Sequence, residues 1–166
     1  MLDIESYLTG GDLRSVGGVD ELVRLIDGQD DFDVLFEYLH SDERLIVMRT
    51  ADAVEKVTRD DPHLLQSHKD EMFACLHSAT HKEFKWHLAQ LVSRLSLTEA
   101  EVDTVWDVLS SWATDPSESR IVRVNALQAL HDLTLEYETY ETTFDQIVES
   151  VRSEDVPSIQ ARIRQF

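Results

Sequence analysis

An all-α protein made of repeated helical hairpins is what this 166-residue chain predicts, and three observations predict it. The first is a period. Arg49-Thr-Ala-Asp-Ala-Val-Glu-Lys-Val, His87-Leu-Ala-Gln-Leu-Val-Ser-Arg-Leu and Asn125-Ala-Leu-Gln-Ala-Leu-His-Asp-Leu are versions of one helix, each starting 38 residues after the last. The second is the pattern inside each copy: polar residues at the first, fourth and eighth positions return to one face of a ~3.6-residue helix, among small and aliphatic neighbours. The third is that no stretch shows the alternation and turn chemistry of a strand.

Taken in order, residues 2–8 read as a short helix stopped by Gly10 and Gly11. Residues 19–26 follow Gly17 and Gly18 as a second, with Leu22, Leu25 and Ile26 on one edge. Helices this short need a neighbour, so 1–28 is assigned as an N-terminal cap. Residues 30–40 place Phe32, Leu35, Phe36 and Leu39 on one helical face, with acids in the first turn. Beyond Ser41, residues 44–59 carry two apolar rows, Val47, Ala51, Val54 and Ile46, Ala53, Val57, so neighbours must cover both flanks. Arg49, Asp52, Lys56 and Arg59 form the polar row that remains.

Asp61 as N-cap and Pro62 at the first helical position open a helix over 62–79. Thr80 and Glu83 predict a capping box for the helix that contains His87. Thr98 and Glu101 predict another, ahead of Val102, Val105, Trp106, Leu109, Trp112 and Ala113 at helical spacing. Asp115-Pro116 makes the turn into a helix over 120–135. Phe144, Ile147, Val148 and Val151 mark a further outer helix, and Val156-Pro157 opens a last one bearing Ile159 and Ile163. One domain of about four hairpins results: repeats at 29–60, 61–97 and 98–136, with 137–166 as a C-terminal cap repeat.

Charge narrows the classes of function. Thirty-three acidic against 15 basic residues give a net −18, which repels phosphate backbones and anionic lipids, so neither nucleic acid nor membrane is expected as a partner. Arg outnumbers Lys by 11 to 4, a balance that fits a salt-adapted or high-GC prokaryote. The N-terminus lacks a basic start, and no apolar run approaches ~18 residues, so a soluble cytoplasmic protein is expected. A single cysteine, Cys75, excludes an internal disulfide and a multi-thiolate metal site. It shares an apolar stripe with Met72 and Ala79 and is read as a buried, inert thiol.

Leu45-Ile-Val-Met-Arg-Thr-Ala-Asp-Ala-Val, Phe84-Lys-Trp-His-Leu-Ala-Gln-Leu-Val and Ile121-Val-Arg-Val-Asn-Ala-Leu-Gln-Ala-Leu resemble the inner helix of HEAT repeats, an armadillo-like family. The likeness covers residues 30–135 well and the two ends poorly, and the chain looks like the small single-domain HEAT-repeat proteins of bacteria and archaea. The family's nominal period, about 40–47 residues, is slightly longer. The resemblance implies a right-handed α-α superhelix whose inner helices line a concave surface, and a surface of that kind binds proteins or peptides.

The candidate site follows from superposing the copies. Arg49, Asp52 and Lys56, then His87, Gln90 and Arg94, then Asn125, Gln128 and Asp132 are expected to stack as a partner-binding floor, graded from cationic to acidic. An acidic peptide or a partner helix is its expected occupant. The competing reading is a solvated face whose pairs, Asp52 with Arg94 or Arg94 with Asp132, set repeat stacking only.

Seven histidines include no His-Glu-x-x-His or other closed ligand set, so no metal or other cofactor is expected and the histidines are read as surface or loop residues. Trp86, Trp106, Trp112, Phe84 and Phe73 are read as core. No nucleophile elbow or glycine-rich phosphate loop occurs, so a non-catalytic adaptor is expected, monomeric or weakly self-associating. The alternatives are an enzyme on a HEAT scaffold, lyase-like or glycosylase-like, or an assembly subunit whose stack continues in another chain. The glycosylase version needs a cationic channel, for which only Arg49, Lys56, Lys85 and Arg94 are available.

Overall fold

The computed structural model describes residues 2–11 and 17–166; Met1 and positions 12–16 of the expected N-terminal cap lie outside the described residues. Every regular element among those described is helical. The chain divides into two compact units, Met1–Lys69 and Asp70–Phe166.

In the first unit α1 (Ile4–Leu8), α2 (Val19–Leu25) and α3 (Gln29–Glu37) all pack on α4 (Arg44–Asp60). This arrangement covers both flanks of the helix whose two apolar rows demanded it, and Ile46, Ala51, Ala53 and Val54 are buried. α3 tightens into a 3-10 turn at Tyr38–His40, so the helix expected over 30–40 is α-helical only as far as Glu37. The segment after Asp61 departs further from expectation. Asp61 does accept from the His63 N–H (3.2 Å), but Pro62–His68 is 3-10 helix, and the α-helix expected from Pro62 starts only at Lys69. Its turns are tied to α3. Gln29 Nε2 donates to the Leu64 carbonyl (3.1 Å) and Ser67 Oγ (2.9 Å), while His68 Nε2 meets Asp33 Oδ1 at 2.7 Å. His68 is buried and stacks on Phe36 at 4.0 Å, which corrects its reading as a surface histidine.

In the second unit α5 (Lys69–Ser78), α6 (Lys82–Val92), α7 (Glu99–Thr114), α8 (Arg120–Glu136), α9 (Glu141–Arg152) and α10 (Pro157–Ile163) follow in order. α8 is the centre, touching α6, α7, α9 and α10. Small residues on α8, Ala126 and Ala129, alternate with Leu127, Leu130 and Leu133, all buried, and so let four helices approach one. The apolar rows read from the sequence on α7, α9 and α10 are buried as well. Phe73, Phe84 and Trp86 are only half-buried, which corrects their reading as core.

The capping box at Thr98 is formed: its N–H donates to Glu101 Oε2 (2.7 Å) and its hydroxyl accepts from the Glu101 N–H (3.4 Å). The box expected at Thr80 is not. His81 is the N-cap residue and makes no side-chain cap bond, since α6 begins one residue later than the pattern requires. That start matters for register: α4, α6 and α8 begin at Arg44, Lys82 and Arg120, a strict 38-residue period, and α10 begins at Pro157, one residue short of it.

Candidate functional site

Counting from these starts, Arg49, His87 and Asn125 are each the sixth residue of their helix, and so is Arg162 of α10. Eight of the nine predicted residues therefore hold equivalent positions along their helices, and Arg94 lies two residues past the end of α6. Equivalent position does not bring equivalent exposure.

Arg49 is completely buried, which corrects its assignment to a binding floor. Its NH1 donates to the carbonyls of Leu8 and Thr9, each at 2.9 Å, at the C-terminal end of α1. Those carbonyls have no partner within their own helix, so the guanidinium serves as their cap. Gly17 makes room for it. A Cβ there would lie 2.9 Å from Arg49 Cζ, and the backbone φ of +57° is one that side chains other than hydrogen resist. Lys56 is also engaged, with Nζ 2.7 Å from Asp20 Oδ1 and 2.9 Å from Asp52 Oδ2. Burial opposes the ammonium, yet the bonds to Asp20 and Asp52 outweigh it and hold the lysine above its ordinary pKa. The N-terminal cap thus covers the first third of the stripe, a contact no helical periodicity within α4 can report.

In the second unit His87 is buried and stacked against Trp86, ring centroids 3.5 Å apart, so it too is removed from the floor. The other five predicted residues come together. Gln90, Arg94, Asn125, Gln128 and Asp132 line one groove of about 460 Å³, bounded on its far side by Arg162 and completed by Ser93, Leu135 and Glu136. Gln90 Nε2 donates to Asn125 Oδ1 (3.1 Å), and Asn125 Nδ2 donates back to the Ile121 carbonyl (2.8 Å). Gln128 Nε2 donates to Asp132 Oδ1 (2.7 Å), and Arg162 NH1 donates to Gln128 Oε1. The Gln128–Asp132 bond is an amide–carboxylate bridge within α8. Gln90 Oε1 is a buried acceptor with no hydrogen bond. Three side-chain amides, two guanidiniums and two carboxylates thus line one open groove, offering donors and acceptors in nearly balanced number.

Arg162 was missed by sequence reasoning. Its signal was present in the period, but a one-residue shortfall before α10 hid the register.

Other polar clusters lie outside this groove. Lys85 pairs with Glu118 and lies 5.4 Å from the Trp112 ring centroid, a cation–π contact. His77 Nδ1 donates to the Phe73 carbonyl at 2.8 Å, which assigns its proton to that nitrogen. Among the described residues no three His, Cys, Asp or Glu side chains gather as metal ligands. Burial pushes the Cys75 thiol up to about 11, with Glu71 adding to it, so the thiolate is scarce at neutral pH. No described helix is long and apolar enough to cross a membrane.

No protein-family model, no curated protein and no solved structure matches this chain. What the groove can do is therefore read from its own side chains.

Proposed function

We propose that the chain is a HEAT-like right-handed α-α superhelix and that it acts as a non-catalytic adaptor in the cytoplasm, holding a protein or peptide segment in the groove between α6, α8 and α10. The observation that carries this reading is the gathering of the Gln90, Asn125 and Gln128 side-chain amides along one groove with Arg162 beside them. Paired donors and acceptors along an open groove suit an extended main chain, which presents both at every residue. The helix starts at Arg44, Lys82 and Arg120 support the repeat architecture. An acidic peptide is a poorer occupant than the sequence suggested, because Arg49 is buried and Lys56 is already paired. The same two facts, with Lys85 held by Glu118, remove most of the cationic channel that a glycosylase would need.

The test is capture of partners from the native host by tagged protein, wild type against Asn125→Ala/Gln128→Ala/Arg162→Ala. Loss of the captured partner, with unchanged helicity by circular dichroism, is expected. Equal capture by both proteins would remove the groove from consideration.

A further inference from the structure

Next to the groove, on the other side of one exposed leucine, lies a second cavity of about 330 Å³. Its lining is mixed: the buried side chains of Phe144, Val148 and Ile163 stand beside the polar His131, Thr134, Glu141, Asp145 and Arg152. The C-terminal Phe166 stacks on His131 (centroids 4.5 Å apart) and meets the Phe144 ring edge-on (5.3 Å). Leu135 lines both this cavity and the amide groove, and 72% of its surface is exposed. Leu135 is thus an exposed apolar side chain on the rim that the two cavities share.

Charge around the leucine selects the partner. Glu136 lines the groove, Glu141 and Asp145 line the second cavity, all three are exposed, and none makes an ion pair among the described residues. Arg152, the cation on that rim, is already bonded to Glu149 at 2.8 Å. An exposed leucine and phenylalanine flanked by exposed carboxylates, in a protein of net charge −18, complement a basic segment carrying a bulky apolar residue. We infer that the groove extends over Leu135 into this cavity, and that its occupant is a basic peptide segment whose aliphatic or aromatic side chain packs against Leu135 and Phe144 while flanking Lys or Arg residues meet Glu136, Glu141 and Asp145. The inference rests on the peptide-docking reading above and adds the chemistry of the partner.

The experiment is fluorescence anisotropy with a labelled short peptide holding a Phe-Leu pair between Lys-Arg dipeptides, and with its counterpart holding Glu-Asp dipeptides. The basic peptide is expected to bind wild-type protein, more weakly as salt rises, and the acidic one at least about tenfold less well. Leu135→Ser, at an exposed position that folding does not need, is expected to weaken the basic peptide about tenfold, and Glu141→Lys/Asp145→Lys to weaken it similarly. Failure of wild-type protein to bind the basic peptide, equal binding of both peptides, or a Leu135→Ser variant that binds like wild type would each overturn the inference. If Asn125→Ala/Gln128→Ala abolishes binding while Leu135→Ser does not, the groove reading stands and the basic anchor falls. Light scattering covers the remaining occupant: a dimer that becomes monomer on Leu135→Ser would mean that a second copy fills the seat, and would overturn the basic-peptide assignment.

Discussion

A buried guanidinium is tolerable only where acceptors meet its N–H groups, and Arg49 and Arg123 both find backbone carbonyls. Arg123, 2% exposed, donates Nε to the Ala113 carbonyl (2.9 Å) and closes a bidentate pair with Glu154, both N–O distances 2.7 Å. Glu154→Gln would leave the cation buried without its counter-ion and is expected to cost about 3 kcal/mol, whereas the double replacement Arg123→Met/Glu154→Leu removes both charges and is expected to cost only about 1 kcal/mol. Urea denaturation of the two variants measures this, and the reverse order would contradict it. The pair also sets a pH dependence. The Arg123 bonds hold the Glu154 carboxyl below its ordinary value of 4.5, so its contribution is complete above that value and is lost as pH falls through the lower, folded one. The stability gap between wild type and Glu154→Gln is therefore expected to be flat from neutrality down to about pH 5 and to narrow below it.

Two threonines at the element scale had the same sequence signature and different fates. Thr98 closes a reciprocal box on α7, while Thr80 stands one residue too early for α6. Thr98→Ala is expected to lower stability by about 1 kcal/mol, and Thr80→Ala to stay within about 0.5 kcal/mol. Thermal melts of the two single variants check the contrast, and equal losses would contradict the N-cap assignment at His81. The apolar rows were legible for the same reason that the Thr98 box was: they are properties of one helix. The 3-10 turns at Pro62–His68 were not, because bonds to Gln29 and Asp33 on another helix hold them.

On the scale of the whole molecule the dominant quantity is the net charge of −18, which loads the folded chain with self-repulsion. Screening should relieve it. Raising monovalent salt from roughly 0.01 M to 0.15 M shortens the Debye length from about 30 Å to about 8 Å, and the melting temperature is expected to rise over that range. A melting temperature that falls would show that ion pairs such as Lys56–Asp20 and the partly buried Lys85–Glu118 outweigh the repulsion.

By itself the sequence determined the helical class, the 38-residue spacing and most of the apolar core, since each is written in local periodicity. It also identified five of the groove's polar residues, four of them on α6 or α8 and Arg94 just beyond the end of α6. Tertiary structure decided the rest. Whether a polar residue at an inner-helix position meets water or another helix depends on what folds over it, and that cover comes from distant parts of the chain: α1 over Arg49, α2 over Lys56. The same dependence brought Arg162 into the groove and left Leu135 bare, because only packing of α10 and α9 against α8 determines which side chains share a wall.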